Sequence, residues 1–152
     1  MFFRYGGAST LRQYGIDIPK QVAEDEWMEP EPDDVPRIVR QALKEIDPSH
    51  LHFLNALPYF TEQDDYFFCH AGIKPGVSLD SQAAEDLVWI RDEFLLSDKI
   101  YEKVIIHGHT SRLNVDVQLN RINIDTRCHA TGVLTCVALE RDQHRFLQTG
   151  AT

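Results

Sequence analysis

Two histidine positions could do chemistry because each directly follows a short apolar run. His70 comes after Tyr-Phe-Phe-Cys at residues 66–69, and His107-Gly108-His109 comes after Val-Ile-Ile at residues 104–106. Neutral imidazole is a common nitrogen ligand of transition-metal ions, and small neighbours such as Gly72 and Gly108 let backbone and ligand approach closely. The pattern leaves two interpretations open, a metal site and hydrogen-bonded loop histidines, and the second is the more common explanation for either position taken alone.

The elements that must position these histidines form a predicted strand-helix-strand unit. The runs at 66–69 and 104–106 are typical of buried β-strands, and residues 82–95 carry apolar side chains at helical spacing. This order and interval predict a βαβ unit with parallel strands. Because ligands gather beyond the carboxyl ends of parallel strands, we expect His70 and His109 at one edge of the sheet.

The N-terminal third is predicted to be mainly helical. A short helix is expected at 9–14, an amphipathic helix at 35–46 with Asp33 or Asp34 as N-cap, and a shorter helix ending before Pro58. Residues 16–36 hold four prolines and many acids, which predicts an exposed connection. His50 and His52 are interpreted as surface or packing residues.

The C-terminal third is predicted to consist of strands. Four segments, at residues 115–117, 121–125, 133–139 and 144–148, alternate or cluster apolar residues between short turns. They are expected to form an antiparallel set that completes a mixed sheet. The predicted fold class is therefore α/β.

Composition limits the classes of protein to which the chain can belong. A length of 152 residues fits one domain. The net charge of −9 argues against binding nucleic-acid backbones or an anionic membrane surface. Three cysteines, an odd number, follow no secretory signal, so a reducing cytoplasm is expected. No apolar run approaches the roughly 20 residues that cross a bilayer.

Four motifs occur in a characteristic order along the chain. They are His70-Ala71-Gly72, Leu87-Val88-Trp89-Ile90-Arg91, His107-Gly108-His109-Thr110 and Asn120-Arg121-Ile122-Asn123-Ile124-Asp125-Thr126. The set resembles the bacterial serine/threonine phosphatases of the calcineurin-like metallophosphoesterase superfamily. Residues 6–11, followed by Tyr14-Gly15, also resemble the Gly-Gly-x-x-Thr-Leu segment of these enzymes. The resemblance thus extends over nearly the whole chain.

The resemblance implies a fold and an activity. Residues 1–152 would be a single partial domain, the C-terminal portion of an αββα sandwich with a mixed sheet. The implied activity is metal-dependent hydrolysis of phosphate monoesters by a metal-bound hydroxide, with a phosphoprotein or a small phosphoester as substrate. Two divalent ions would be bound, either Mn²⁺ or an Fe/Zn-type pair. No oligomeric state is implied.

The resemblance also implies roles for individual residues. His70 and His109 would each ligate a metal ion, and Arg91 would contact the substrate phosphate as a guanidinium donor. Trp89 would pack beneath the site. His107 would lie behind the metal ligands or face the substrate.

Three blocks of the family pattern are missing from this sequence. They have the forms Gly-Asp-x-His-Gly, Gly-Asp-x-x-Asp-Arg-Gly and Gly-Asn-His-Glu, and none of them occurs here. They would bring the remaining metal ligands and the catalytic histidine, so catalytic residues are expected upstream, in an N-terminal part that this chain lacks. Two alternatives remain open: a non-catalytic module that binds phosphate or a partner, and a dinucleoside polyphosphate hydrolase.

The sequence also departs from the family pattern in two smaller ways. Arg127-Cys128-His129 stands where relatives have a glycine and a small residue, and Ser111 replaces a proline. We further expect the isolated chain to be poorly stable, because its sheet would lack the cover of the missing half.

Overall fold

A computed structural model describes residues 2–3, 6–24, 28–140 and 143–150. The chain divides into two compact units, residues 1–57 and residues 58–152. This division differs from the single partial domain expected from the sequence, which stays a prediction. Within the described residues, no helix is both long enough and apolar enough to cross a membrane.

The first unit is helical. It contains α1 (Gly7–Gln13), α2 (Lys20–Glu24), α3 (Val35–Glu45) and α4 (Pro48–Ala56). Ile16, Ile18 and Val22 are buried in its core. The prediction of an exposed connection at 16–36 is therefore wrong over its first part. Prolines and acids dominate the composition of this segment, and the few apolar residues among them gave no clear pattern. Residues 25–27 of that segment lie outside the described residues.

The ends of α3 and α4 follow from local chemistry. Asp34 is the N-cap of α3, as predicted, but its carboxylate accepts from Arg37 rather than from a backbone amide, and a proline occupies the first turn. Asp47 caps α4 because its Oδ1 accepts from the backbone N–H of Ser49 at 2.8 Å. This helix therefore begins directly after Asp47, and it ends before Pro58 as predicted.

The second unit contains a five-stranded mixed sheet. Its strands are β1 (Phe60–Gln63), β2 (Tyr66–Cys69), β3 (Val104–His107), β4 (Asp116–Val117) and β5 (Arg121–Asn123), in the order β1-β2-β3-β5-β4. Strands β2, β3 and β5 are parallel, whereas β1 and β4 are antiparallel edge strands. The predicted parallel pairing of the two histidine-bearing strands is confirmed.

The four predicted C-terminal strands are all present, but the last two are placed differently from the prediction. Strands β6 (Thr135–Glu140) and β7 (Gln143–Gln148) form a separate antiparallel pair and do not extend the main sheet. Their apolar residues pack on one face of that sheet, where Val137 and Phe146 contact the cluster around Ile106 and Ile122. The hairpin thus covers part of the sheet instead of continuing it.

The described part of the second unit also contains three short helices. They are α5 (Ala84–Trp89), α6 (Asp92–Leu95) and α7 (Cys128–Thr131), with a 3-10 turn at Leu79–Ser81. The single helix predicted at 82–95 is interrupted at Arg91, whose φ of −131° and ψ of −106° are not helical. Leu87 and Phe94 pack with Phe67 and Ile105 to form the core on the other sheet face.

Candidate metal and phosphate site

The structure brings His70 and His109 together. They follow the carboxyl ends of β2 and β3, and Nε2 of His70 and Nδ1 of His109 share a hydrogen bond of 3.1 Å, in which either nitrogen can be the donor. The two loops are tied directly, since the backbone N–H of Gly108 donates to the carbonyl of His70 at 2.9 Å. The close approach predicted from the strand pattern is therefore confirmed, and both rings meet at one rim of the sheet.

The surroundings of His109 favour its neutral form. Partial burial lowers the pKa of His109, and the positive charges of Arg91 and His70 add to this effect, while Asp125 opposes it. A neutral imidazole keeps a lone pair on one ring nitrogen, and this is the form that binds metal ions. The electrostatics thus suit a ligand.

Arg91 lies beside the pair because the chain leaves helical geometry at that residue. Its Nη1 donates to Oγ1 of Thr110 at 3.1 Å, next to His109 in sequence, and the side chain remains exposed. A guanidinium held this way keeps further N–H donors for a ligand. The structure thus places the proposed phosphate contact at the same rim as the two imidazoles.

Trp89 lies differently from what the resemblance implies, whereas His107 takes one of its two implied positions. The Trp89 ring contacts His109 edge to face, with centroids 5.5 Å apart, but it is 56% exposed and does not pack beneath the site. His107 is only 2% exposed and its ring lies 4.9 Å from Phe94, so it lies behind the rim. Burial is the main reason that the pKa of His107 falls to about 4.

The residues present fit part of a metal site. If the proton that they share is displaced, both facing nitrogens could bind one transition-metal ion, because neutral imidazole binds such ions through a free lone pair. Within the described residues, no group of three or more His, Cys, Asp or Glu side chains could hold a metal. The pair can therefore supply two ligands, and further ligands have to come from other groups.

Three residues of the site were given no role by the sequence. Thr110 holds Arg91, Asn123 donates to the carbonyl of Thr110 at 2.8 Å, and Asp125 acts electrostatically on His109. Asp125 also lines a pocket of about 390 Å³ beside the two histidines. All three residues lie within the motifs that carried the resemblance, but their roles depend on strand register, which a single sequence does not reveal.

The two other histidines considered from the sequence belong to the first unit. His50 and His52 are both exposed, and Nδ1 of His50 lies 2.8 Å from the hydroxyl of Tyr14. Their interpretation as surface or packing residues is confirmed.

Comparisons with known proteins support the fold. No family model matches the chain, and no curated protein matches its sequence. The chain is similar to a solved structure described as "Crystal structure of a putative diadenosine tetraphosphatase", with a TM-score of 0.56 and 17% sequence identity. The similarity covers 76% of this chain and 62% of that one, so the chain spans about three fifths of its neighbour's length. The α/β class with a mixed sheet is confirmed, and the fold is similar to that of this neighbour.

Proposed function

We propose that this chain carries part of a metal-dependent phosphoesterase site formed by His70, His109 and Arg91. The observation that carries the proposal is the 3.1 Å approach of the two imidazole nitrogens at the rim where Arg91 is held. Two facing nitrogen atoms and a guanidinium are complementary to a cation and an anion respectively. A phosphate ester bound to a divalent ion presents both charges at once.

Each of the three residues has a distinct role in this proposal. His70 and His109 would hold a divalent ion. Mn²⁺ or an Fe/Zn-type pair suits a site that mixes imidazole with oxygen ligands. Bound there, such ions would polarise the phosphate and lower the pKa of a water molecule. Arg91 binds a phosphate oxygen and orients the ester, and its contact with Thr110 limits the positions it samples.

Two substrate classes have separate support. The motif order resembles serine/threonine phosphatases, which favours a phosphoprotein or a small phosphate monoester. The structural neighbour is described as a putative diadenosine tetraphosphatase, which favours a dinucleoside polyphosphate. Both substrates present a phosphate to the same guanidinium and metal ligands, so the residues at the rim suit either class.

A non-catalytic binding module is the second candidate function. It is favoured by the lack, within the described residues, of a third side chain that could complete a metal site. In that case Arg91 binds phosphate without turnover, and binding does not require a metal. Calorimetry with inorganic phosphate, in the presence and absence of EDTA, separates this candidate from the first.

Metal binding provides the most direct test of the proposal. Paramagnetic Mn²⁺ is titrated into the ¹⁵N-labelled chain, and line broadening is measured at each imidazole. We expect selective broadening of His70 and His109, and its loss in the His109→Ala variant but not in His52→Ala, an exposed control. Broadening that spares His70 and His109 while affecting other residues would refute the proposed site.

Hydrolysis is then measured with p-nitrophenyl phosphate, a phosphoserine peptide and diadenosine tetraphosphate. The chain is assayed by itself and joined to a segment bearing the three missing motif blocks. We expect Mn²⁺-dependent turnover from the joined protein and its strong reduction by Arg91→Ala. If the joined protein binds metal but hydrolyses none of the three substrates, the enzyme proposal fails and the binding module is favoured.

A further inference from the structure

The turn that presents His109 is strained. His109 has a φ of +66°, and the backbone N–H of Thr110 donates to the carbonyl of Gly108 at 2.7 Å across it. A three-residue turn with a positive φ is rare, and a residue other than glycine at such an angle carries a steric cost. Such a conformation persists only where the surrounding structure holds it. Contacts from neighbouring residues must therefore stabilise the turn at His109.

The side chain of Asn123 contacts the backbone immediately after this turn. Its Nδ2 donates to the carbonyl of Thr110 at 2.8 Å, and its Oδ1 accepts from the backbone N–H of Asp125 at 2.9 Å. Asn123 is 1% exposed and lies opposite His107 in the register of β3 and β5. Both ends of a fully buried carboxamide thus bridge the turn to the strand beside it.

The rest of the backbone around His109 supports this bridge without replacing it. The N–H of Ile124 donates to the carbonyl of His107 at 3.0 Å, and the N–H of Arg112 donates to the carbonyl of Asp125 at 2.9 Å. These bonds anchor residues before and after the turn. Among the hydrogen bonds of the described residues, the one from Asn123 is the contact that reaches the Thr110 carbonyl.

We propose that Asn123 is a positioning residue for the His70–His109 pair. Its carboxamide holds the carbonyl of Thr110 and thereby keeps the strained turn that points Nδ1 of His109 at Nε2 of His70. Asn123 contacts neither imidazole in this role and acts through the backbone. The metal-binding consequence rests on the proposed function, whereas the consequence for ring position does not.

A neighbouring asparagine provides a matched control. Asn120 is 5% exposed, and its Nδ2 donates to the carbonyls of Ser97 and Lys99 at 3.1 and 2.7 Å. It therefore holds the segment after α6 and not the His109 turn. Asn120→Ala and Asn123→Ala each remove buried hydrogen bonds and should both lower thermal stability, but only the second should disturb the histidine pair.

The ring nitrogens are observed by long-range ¹H–¹⁵N NMR of the metal-free chain. We expect His70 and His109 to keep their nitrogen shifts in Asn120→Ala and to move toward those of exposed, tautomer-averaged imidazoles in Asn123→Ala. If Asn123→Ala does not fold, Asn123→Ser is used, since its short hydroxyl leaves the Thr110 carbonyl without a donor. Unchanged histidine shifts in a folded Asn123 variant, or equal changes in the Asn120 variant, would overturn the proposal.

Metal affinity provides a second readout, and it distinguishes failure of the proposed function from failure of the role proposed for Asn123. If the wild-type chain binds Mn²⁺ at the pair, Asn123→Ala should weaken binding roughly 10–100-fold, as is typical when a group that orients a ligand is removed. Asn120→Ala should leave the affinity close to that of the wild type. Absence of Mn²⁺ binding in the wild type would contradict the proposed function, while the nitrogen shifts of the metal-free protein would still decide the role of Asn123.

Discussion

Replacing Gly72 with alanine should destabilise the second unit through a defined steric conflict. Gly72 has a φ of +152°, and a Cβ atom there would lie 2.2 Å from Cδ1 of Phe94. The Phe94 ring is fully buried and also packs edge to face against His107. Because the obstacle is a packed ring rather than the end of a flexible chain, relief requires movement of the core behind the histidine pair.

The expected magnitude has two parts. Forcing a residue with a side chain into a glycine conformation costs roughly 1–3 kcal/mol, and overpacking a tight core costs a further 1–3 kcal/mol or so. Gly132 provides a control for a positive φ without a clash, because its φ is +71° and no heavy atom lies within 4 Å of its ideal Cβ. Gly132→Ala should therefore cost only about 1–2 kcal/mol.

The assay is urea unfolding followed by circular dichroism, with the free energies compared at a common slope. Phe94→Leu is introduced into both the wild-type and the Gly72→Ala backgrounds. If the clash is the cause, Phe94→Leu should cost less in the second background, which gives a favourable coupling energy. A Gly72→Ala variant no less stable than Gly132→Ala, or a coupling energy near zero, would refute this reasoning.

Three further predictions concern the site and its supports. Arg91→Ala should weaken binding of inorganic phosphate about 10-fold or more, with Arg91→Lys intermediate, as measured by NMR titration, because a point charge replaces a fork of donors. Because the pKa of His107 falls to about 4 in the folded chain, the unfolded chain binds a proton first as the pH drops. The free energy of unfolding should therefore decrease below about pH 6.5, by up to about 3 kcal/mol near pH 4. His107→Gln should reduce this pH dependence in acid unfolding measurements. Burial raises the pKa of the Cys69 thiol to about 12. Thiol titration at pH 8 should therefore show fast reaction of the exposed Cys128 and Cys136 and slow reaction of Cys69. Three equally fast thiols would contradict the burial of Cys69.

Local patterns were sufficient to predict the centre of the second unit. The apolar runs before His70 and His107 predicted two buried strands, and the helical spacing between them predicted parallel pairing, which the structure has. Those signals act over a few residues and over one connection, so they survive without knowledge of the rest of the fold. The position of both histidines at one rim followed from them.

The elements that were missed or misplaced depend on contacts distant in sequence. Strand β1 (Phe60–Gln63) has three exposed residues and forms by pairing with β2, so its own sequence shows little strand pattern. The β6–β7 hairpin has strong strand character, but whether it joins the main sheet or packs on its face is decided by tertiary contacts. Helix α2 was hidden because buried Val22 lies in a segment rich in acid and proline.

The same distinction explains which parts of the candidate site can be predicted. His70 and His109 are presented by adjacent strands and by a backbone hydrogen bond between their loops, so their approach is built into the sheet. Arg91 instead projects from a break between two short helices and is held through a single hydroxyl contact with Thr110. In the proposed site, the imidazole pair is therefore held by the sheet itself, whereas the guanidinium depends on one side-chain contact, and this division would suit a site that keeps its cation and exchanges its ester.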